Sequence, residues 1–193
     1  NQLAIAITTV IFNRSALLFA GEDGVAAVSI IMYLQFLCIG IYFGFSMGLS
    51  TPLGYAYGDR NFSVCRVLEK YAYRFFAIAP IILYGCTYLL TPIGVRFFAS
   101  PGSTVFNMAV SGMRLYGLGF LFSGINIFAA IRMMTYGKGY ISGMITFLRS
   151  FALLLLFLTV LPRFLELNGI WLAVPAAEIL TLIVALWTLR KKL

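Results

Sequence analysis

The sequence predicts an all-α integral membrane fold, a bundle of six transmembrane helices, and three observations carry that expectation. Charged residues make up 10% of the chain and apolar ones 62%, whereas soluble domains are about 25% charged. The apolar residues fall in long continuous runs, not in the alternating stretches of roughly ten residues that a membrane barrel uses. Short polar connectors with turn chemistry separate the runs.

Six spans follow in order, over residues 3–20, 25–51, 71–98, 105–134, 141–161 and 169–189. Each is near or above the ~20 residues that cross a bilayer. The third and fourth are long enough to tilt or to run into the headgroups. Expected turns are Gly21-Glu22-Asp23-Gly24, Ser100-Pro101-Gly102-Ser103, Gly137-Lys138-Gly139 and Asn168-Gly169. The longer connector from Gly58 to Lys70 begins polar and then reads as a short amphipathic helix. Residues 1–193 thus form one membrane domain, with no soluble domain or low-complexity linker. The chain opens on Asn1 and enters a span at once, which reads as an internal piece of a longer polypeptide.

Basic residues orient the bundle. Arg60, Arg66, Lys70, Arg74, Arg132, Lys138, Arg190, Lys191 and Lys192 fall near one face, and only Arg96 and Arg163 near the other. Positive charge gathers on the cytoplasmic side, so both ends of the segment are expected there, in a cell inner (plasma) membrane. The net charge of +8 then reports topology and not nucleic-acid binding. Trp171 and Trp187 bracket the last span, as interfacial aromatic residues do.

The stretch from Gly40 to Asn61 is the most patterned. Gly40, Gly44 and Gly48 stand four apart and would form a groove for close packing of a helix or a ligand. Pro52 lacks an amide proton and is expected to kink or end the helix near Ser50-Thr51. Met32, Tyr33, Gln35, Phe36, Tyr42, Phe43 and Met47 lie beside this groove. Flexible methionines and flat rings suit varied amphipathic compounds, although lipid contact is the default for any one of them.

Catalytic and metal chemistry find little here. The chain has no histidine, which removes His-based triads and His-ligated zinc. Cys38, Cys65 and Cys86 are scattered without a metal or disulfide spacing. Gly137-Lys138-Gly139 is too short for a phosphate loop. No cofactor, catalytic residue or metal site is expected, and no enzyme activity.

Polar groups at membrane depth are costly and are functional candidates by default. Arg149 lies about 11 residues past Lys138 and Glu178 about 10 past Asn168, roughly 15–16 Å from opposite faces at ~1.5 Å per residue. In a hydrocarbon core of ~30 Å they share the midplane, where they would form an ion pair or a coupling site. A fixed strut and a proton-accepting carboxylate are both open. Asn13, Gln35, Met47, Thr51 and Asn126 are candidates for the substrate cavity. Ser123 is expected to bond between helices, and Arg14 and Arg114 to snorkel.

Five segments in order and spacing carry a family resemblance. They are GEDGVAAVSI from Gly21, GLSTPLGYAYGDRN from Gly48, GINIFA from Gly124, GKGYISGMITFLR from Gly137 and NGIWLAVPAAE from Asn168. Together they resemble the C-terminal half of MATE (multidrug and toxic compound extrusion) transporters, in the bacterial DNA-damage-inducible-like branch. The resemblance implies twelve helices in two six-helix bundles, with this chain the second and an N-terminal bundle of the same polypeptide its partner. It implies a secondary-active antiporter that exchanges H+ or Na+ for organic, often cationic, small molecules by alternating access. Two departures matter. Thr51 stands where members often carry Gln before the proline. The helices matching 3–20 and 105–134 lack the acids that bind a cation in some members, so the coupling ion stays unassigned. The alternatives are a lipid-linked oligosaccharide flippase of related fold and a non-transporting membrane subunit.

Overall fold

The computed structural model describes residues 2–190. Asn1, Lys191 and Lys192 lie outside the described residues. Every regular element among those described is helical: α1 (Gln2–Gly58), α2 (Phe62–Val95), α3 (Thr104–Tyr116), α4 (Phe120–Thr135), α5 (Gly139–Phe147), α6 (Leu153–Val160) and α7 (Pro162–Arg190). A 3₁₀ turn at Gly117–Gly119 joins α3 to α4, and a π-helical turn at Leu148–Ala152 joins α5 to α6. Five of the resulting runs are long and apolar enough to cross a membrane.

The first run contains two membrane-length pieces. Its 57 residues would extend about 86 Å as one straight helix, nearly three times a hydrocarbon core. Gly21 resolves the conflict by adopting φ 61 and ψ −152, a conformation open essentially to glycine alone. The chain doubles back there, so residues 2–20 and 22–58 form two helices and the bundle has six membrane-length segments.

Three connectors differ from expectation. The helix does not end at Pro52: it continues to Gly58, and Gly21 is its one non-helical residue. Proline removes one ladder bond, which a membrane helix tolerates when its surroundings hold the helix on course. The amphipathic stretch after Gly58 is the first part of α2 and not a separate element. A two-residue turn precedes it, with Arg60 at φ 57, and Asn61 caps the helix by accepting from the Val64 amide. The last turn falls at Glu166 (φ 49), not at Asn168-Gly169. Gly169 is instead a contact point, where an added Cβ would sit 2.5 Å from the Leu161 carbonyl.

The most buried span runs through α3 and α4, which pack against α1, α2 and α7. Tyr42, Phe120, Phe128, Met113 and Trp171 fill the centre. Tyr42, counted from sequence among the groove aromatics, is wholly buried and donates its hydroxyl to the Phe120 carbonyl at 3.0 Å. Trp171 is 1% exposed and its ring lies against Gly112 inside the bundle. Trp187 remains 56% exposed. Gly40, Gly44 and Gly48 have nothing within 4 Å of an added Cβ, so no helix of this chain packs into their groove.

The close approach at Gly169 sets a test. Gly169→Ala should destabilise the fold by about 1–3 kcal/mol through overpacking against backbone that cannot move aside. Thermal unfolding of the detergent-solubilised protein, followed by Trp fluorescence, reads it; an unchanged midpoint would contradict the tight turn.

Candidate functional site

A cleft of about 860 Å³ opens between α1, α4 and α5. Three surfaces build it. Met47, Thr51 and Tyr55 come from the glycine-rich stretch of α1. Ile127, Ile131 and Met134 come from α4, at the spacing that puts residues on one helical face. Ser142 and Thr146 of α5, with Arg149 of the π turn, complete it. Among the described residues no Asp or Glu lines the cleft, and Arg149 is its single charged group.

Arg149 and Glu178 meet. Nη2 and Nε of Arg149 both donate to Oε1 of Glu178, at 2.7 and 2.9 Å. The Asn126 amide donates to Oε2 at 2.7 Å and to the Glu178 backbone carbonyl at 2.9 Å. The carboxylate is thus bonded on both oxygens and is 4% exposed. Burying two charges is costly, and close geometry with every lone pair engaged is what offsets the cost. The π turn places Arg149. It widens the helix by one residue at Leu148–Ala152, a device that often marks functional positions.

The other sequence candidates scatter. Met47 and Thr51 are on the cleft, while Asn126 stands behind it, holding Glu178. Gln35 is not a cleft residue; its side-chain oxygen accepts from the Tyr116 hydroxyl. Asn13 is half-buried away from the cleft, with an Oδ1 that has no hydrogen-bond partner. The Ser123 hydroxyl is likewise buried and without a partner, so the interhelical bond expected of it is not made. Pro52 is exposed and inside its helix. Arg14 is exposed, and Arg114 lies over the Tyr88 ring at 4.5 Å. Cys38, Cys65 and Cys86 are free thiols. Among the described residues no group of three metal-ligating side chains gathers.

Sequence reasoning missed a second buried pair. Glu69 of α2 accepts from Arg132 Nε of α4 and from the Tyr136 hydroxyl, the latter at 2.6 Å. Arg132 is 3% exposed and Glu69 7%. The basic-residue count puts Arg132 near a membrane face and does not consider Glu69. A signal was available: Cys65, Glu69, Ala72, Phe76 and Pro80 form the buried stripe of α2 at helical spacing, which puts Glu69 inward.

Apolar helices of membrane length with many apolar side chains turned outward define a multi-pass membrane protein. The MatE family profile matches residues 1–161, and the chain belongs to that family. Solved structures share the fold. One is an outward-facing multidrug resistance MATE family transporter of the MOP superfamily, 22% identical with a TM-score of 0.85 over 97% of this chain. Its inward-facing counterpart is 21% identical with a TM-score of 0.87 over the same share. A third is a MOP superfamily transporter from Pyrococcus furiosus, 22% identical with a TM-score of 0.85 over 97% of this chain. The chain spans 42–44% of the length of these transporters. No curated protein sequence matches it significantly.

Removing one partner of the buried pair leaves the other charge uncompensated. Arg149→Ala should therefore cost about 3–5 kcal/mol, and the double variant Arg149→Ala with Glu178→Ala distinctly less than the sum of the single losses. Unfolding midpoints of the four proteins check this; strict additivity would show that the pair does not couple.

Proposed function

We propose that this chain is the C-terminal six-helix lobe of a secondary-active exporter of the DNA-damage-inducible-like branch, completed by an N-terminal bundle of the same polypeptide. It exchanges H+ or Na+ for organic amphipathic compounds by alternating access, in a cell inner membrane with the basic face cytoplasmic. The observation that carries the reading is the cleft, walled by three helices and ending at the Arg149–Glu178 ion pair. Membership of the MatE family supports it. So does the length of the matched transporters, which leaves room for a second bundle.

Glu178 is the coupling candidate within this lobe. Taking up a cation there would release Arg149 and loosen α5 and α7 from each other, which links ion binding to helix movement. The often cationic substrates of the family resemblance meet no carboxylate on this wall, so an organic cation would draw its counter-charge from elsewhere in the full transporter.

Transport by the full-length protein in proteoliposomes tests the reading. A panel of cationic, anionic and neutral fluorescent dyes is followed under an imposed proton or sodium gradient. Movement of at least one dye under one gradient is expected, and that gradient names the ion. Glu178→Gln, if folded, should uncouple movement from the gradient. No dye moving under either gradient, from folded protein, would overturn the reading and favour the oligosaccharide flippase or a non-transporting subunit.

A further inference from the structure

The charge and hydrogen-bonding capacity of the cleft restrict what this lobe can hold, and they do so without reference to the coupling ion. Arg149 is the one charged residue on the wall. Its Nε and Nη2 are committed to Glu178, and Nη1 has no hydrogen-bond partner among the described residues. Glu178 is not a counter-charge for a ligand, because Oε1 takes both guanidinium bonds and Oε2 takes Asn126. An incoming organic cation would meet a guanidinium and no available carboxylate.

The hydroxyls divide in the same sense. Ser50, Thr135 and Thr146 spend their protons on carbonyls of their own helices, at 2.7–2.9 Å. Thr51, Tyr55 and Ser142 also line the cleft, and their hydroxyls have no partner among the described residues. These three can donate to a ligand, as Arg149 Nη1 can. Of these four groups only the guanidinium is restricted to donating; set among Phe43, Met47, Ile131 and Met134, it fits an apolar body with an acceptor-rich end, which the hydroxyls can also serve.

The geometry points to organic anions, carboxylates or other oxyanions on a flat or flexible apolar frame, as the compounds this lobe binds, with Arg149 as the residue that selects them. This rests on the reading of the chain as part of an exporter and narrows its substrate class. A charge-assisted bond from a guanidinium to an oxyanion is among the stronger single contacts. The wider turn at Leu148–Ala152 is what brings that guanidinium to both Glu178 and the cleft.

A matched pair of xanthene dyes tests it, fluorescein as the anion and rhodamine 123 as the cation, on nearly the same ring system. Binding is read by fluorescence anisotropy on the full-length protein in lipid nanodiscs. Wild type should prefer fluorescein. The double variant Arg149→Gln with Glu178→Gln, which leaves no charge unpaired, should bind fluorescein about ten- to a hundred-fold more weakly. As a second route that leaves the pair intact, Ser142→Asp should weaken fluorescein and strengthen rhodamine 123. Equal or tighter binding of rhodamine 123 by wild type would overturn the inference, as would a folded double variant that keeps its fluorescein affinity. Absence of binding by either dye would overturn it too. Dye movement under a gradient answers separately for the exporter reading, so anion selectivity can fail while transport stands, and the reverse.

Discussion

The buried pair of Arg149 and Glu178 is the constraint on which the lobe turns. A guanidinium or carboxylate alone at membrane depth costs several kcal/mol, so whichever helices carry the two groups are held to a common level and a facing orientation. Here that requirement acts on three elements at once, because Asn126 of α4 reaches both the carboxylate and the backbone of α7. The apolar side chains do not supply such specificity, since helix faces made of Leu and Phe are as content against lipid as against each other.

From that fixed point the cleft wall follows. The face of α4 turned to the cleft carries Ile127, Ala130, Ile131, Met134 and Thr135, at intervals of three and four residues. Other faces of the same helix carry the anchors: Asn126 on Glu178 near its middle, and Arg132 on Glu69 with Tyr136 near its end. One helix is thus pinned to α7 and to α2 at two heights while its remaining face stays free. A wall that must meet varied ligands benefits from this arrangement, since the anchors set its position and the methionine and isoleucine side chains adapt. The Glu69 group also keeps α2 registered against α4 where the Gly137-Lys138-Gly139 turn begins.

How much of this the sequence disclosed depended on whether the signal was summed or local. Hydropathy adds over twenty residues, so the membrane class and the succession of helices were readable. Counting residues inward from the turns also placed Arg149 and Glu178 at one depth, and the two side chains meet. Single-residue punctuation fared worse. Pro52 and Asn168-Gly169 carry turn chemistry, yet the chain stays helical through both, because packing against neighbours outweighs a lost ladder bond or a residue's preference. Arg132 was hidden because a basic residue near a helix end counts as a topology marker, and only the buried periodicity of α2 turns its partner Glu69 inward. The π turn has no local signature: LRSFA reads as ordinary helix.

The three bare glycines give the last step. Glycine in a helix is about 1 kcal/mol less favourable than alanine, and Gly40, Gly44 and Gly48 are exposed with no neighbour near where a Cβ would stand. Within this chain their small size has no packing use. They sit on the stretch of α1 that continues directly into Met47, Thr51 and Tyr55 of the cleft. Glycines four apart on an uncovered face permit close approach of another helix, and exposed Leu37, Ile41 and Met47 flank them. The glycine stretch and the cleft wall overlap on one helix, since Met47 stands between Gly44 and Gly48 and lines the cleft.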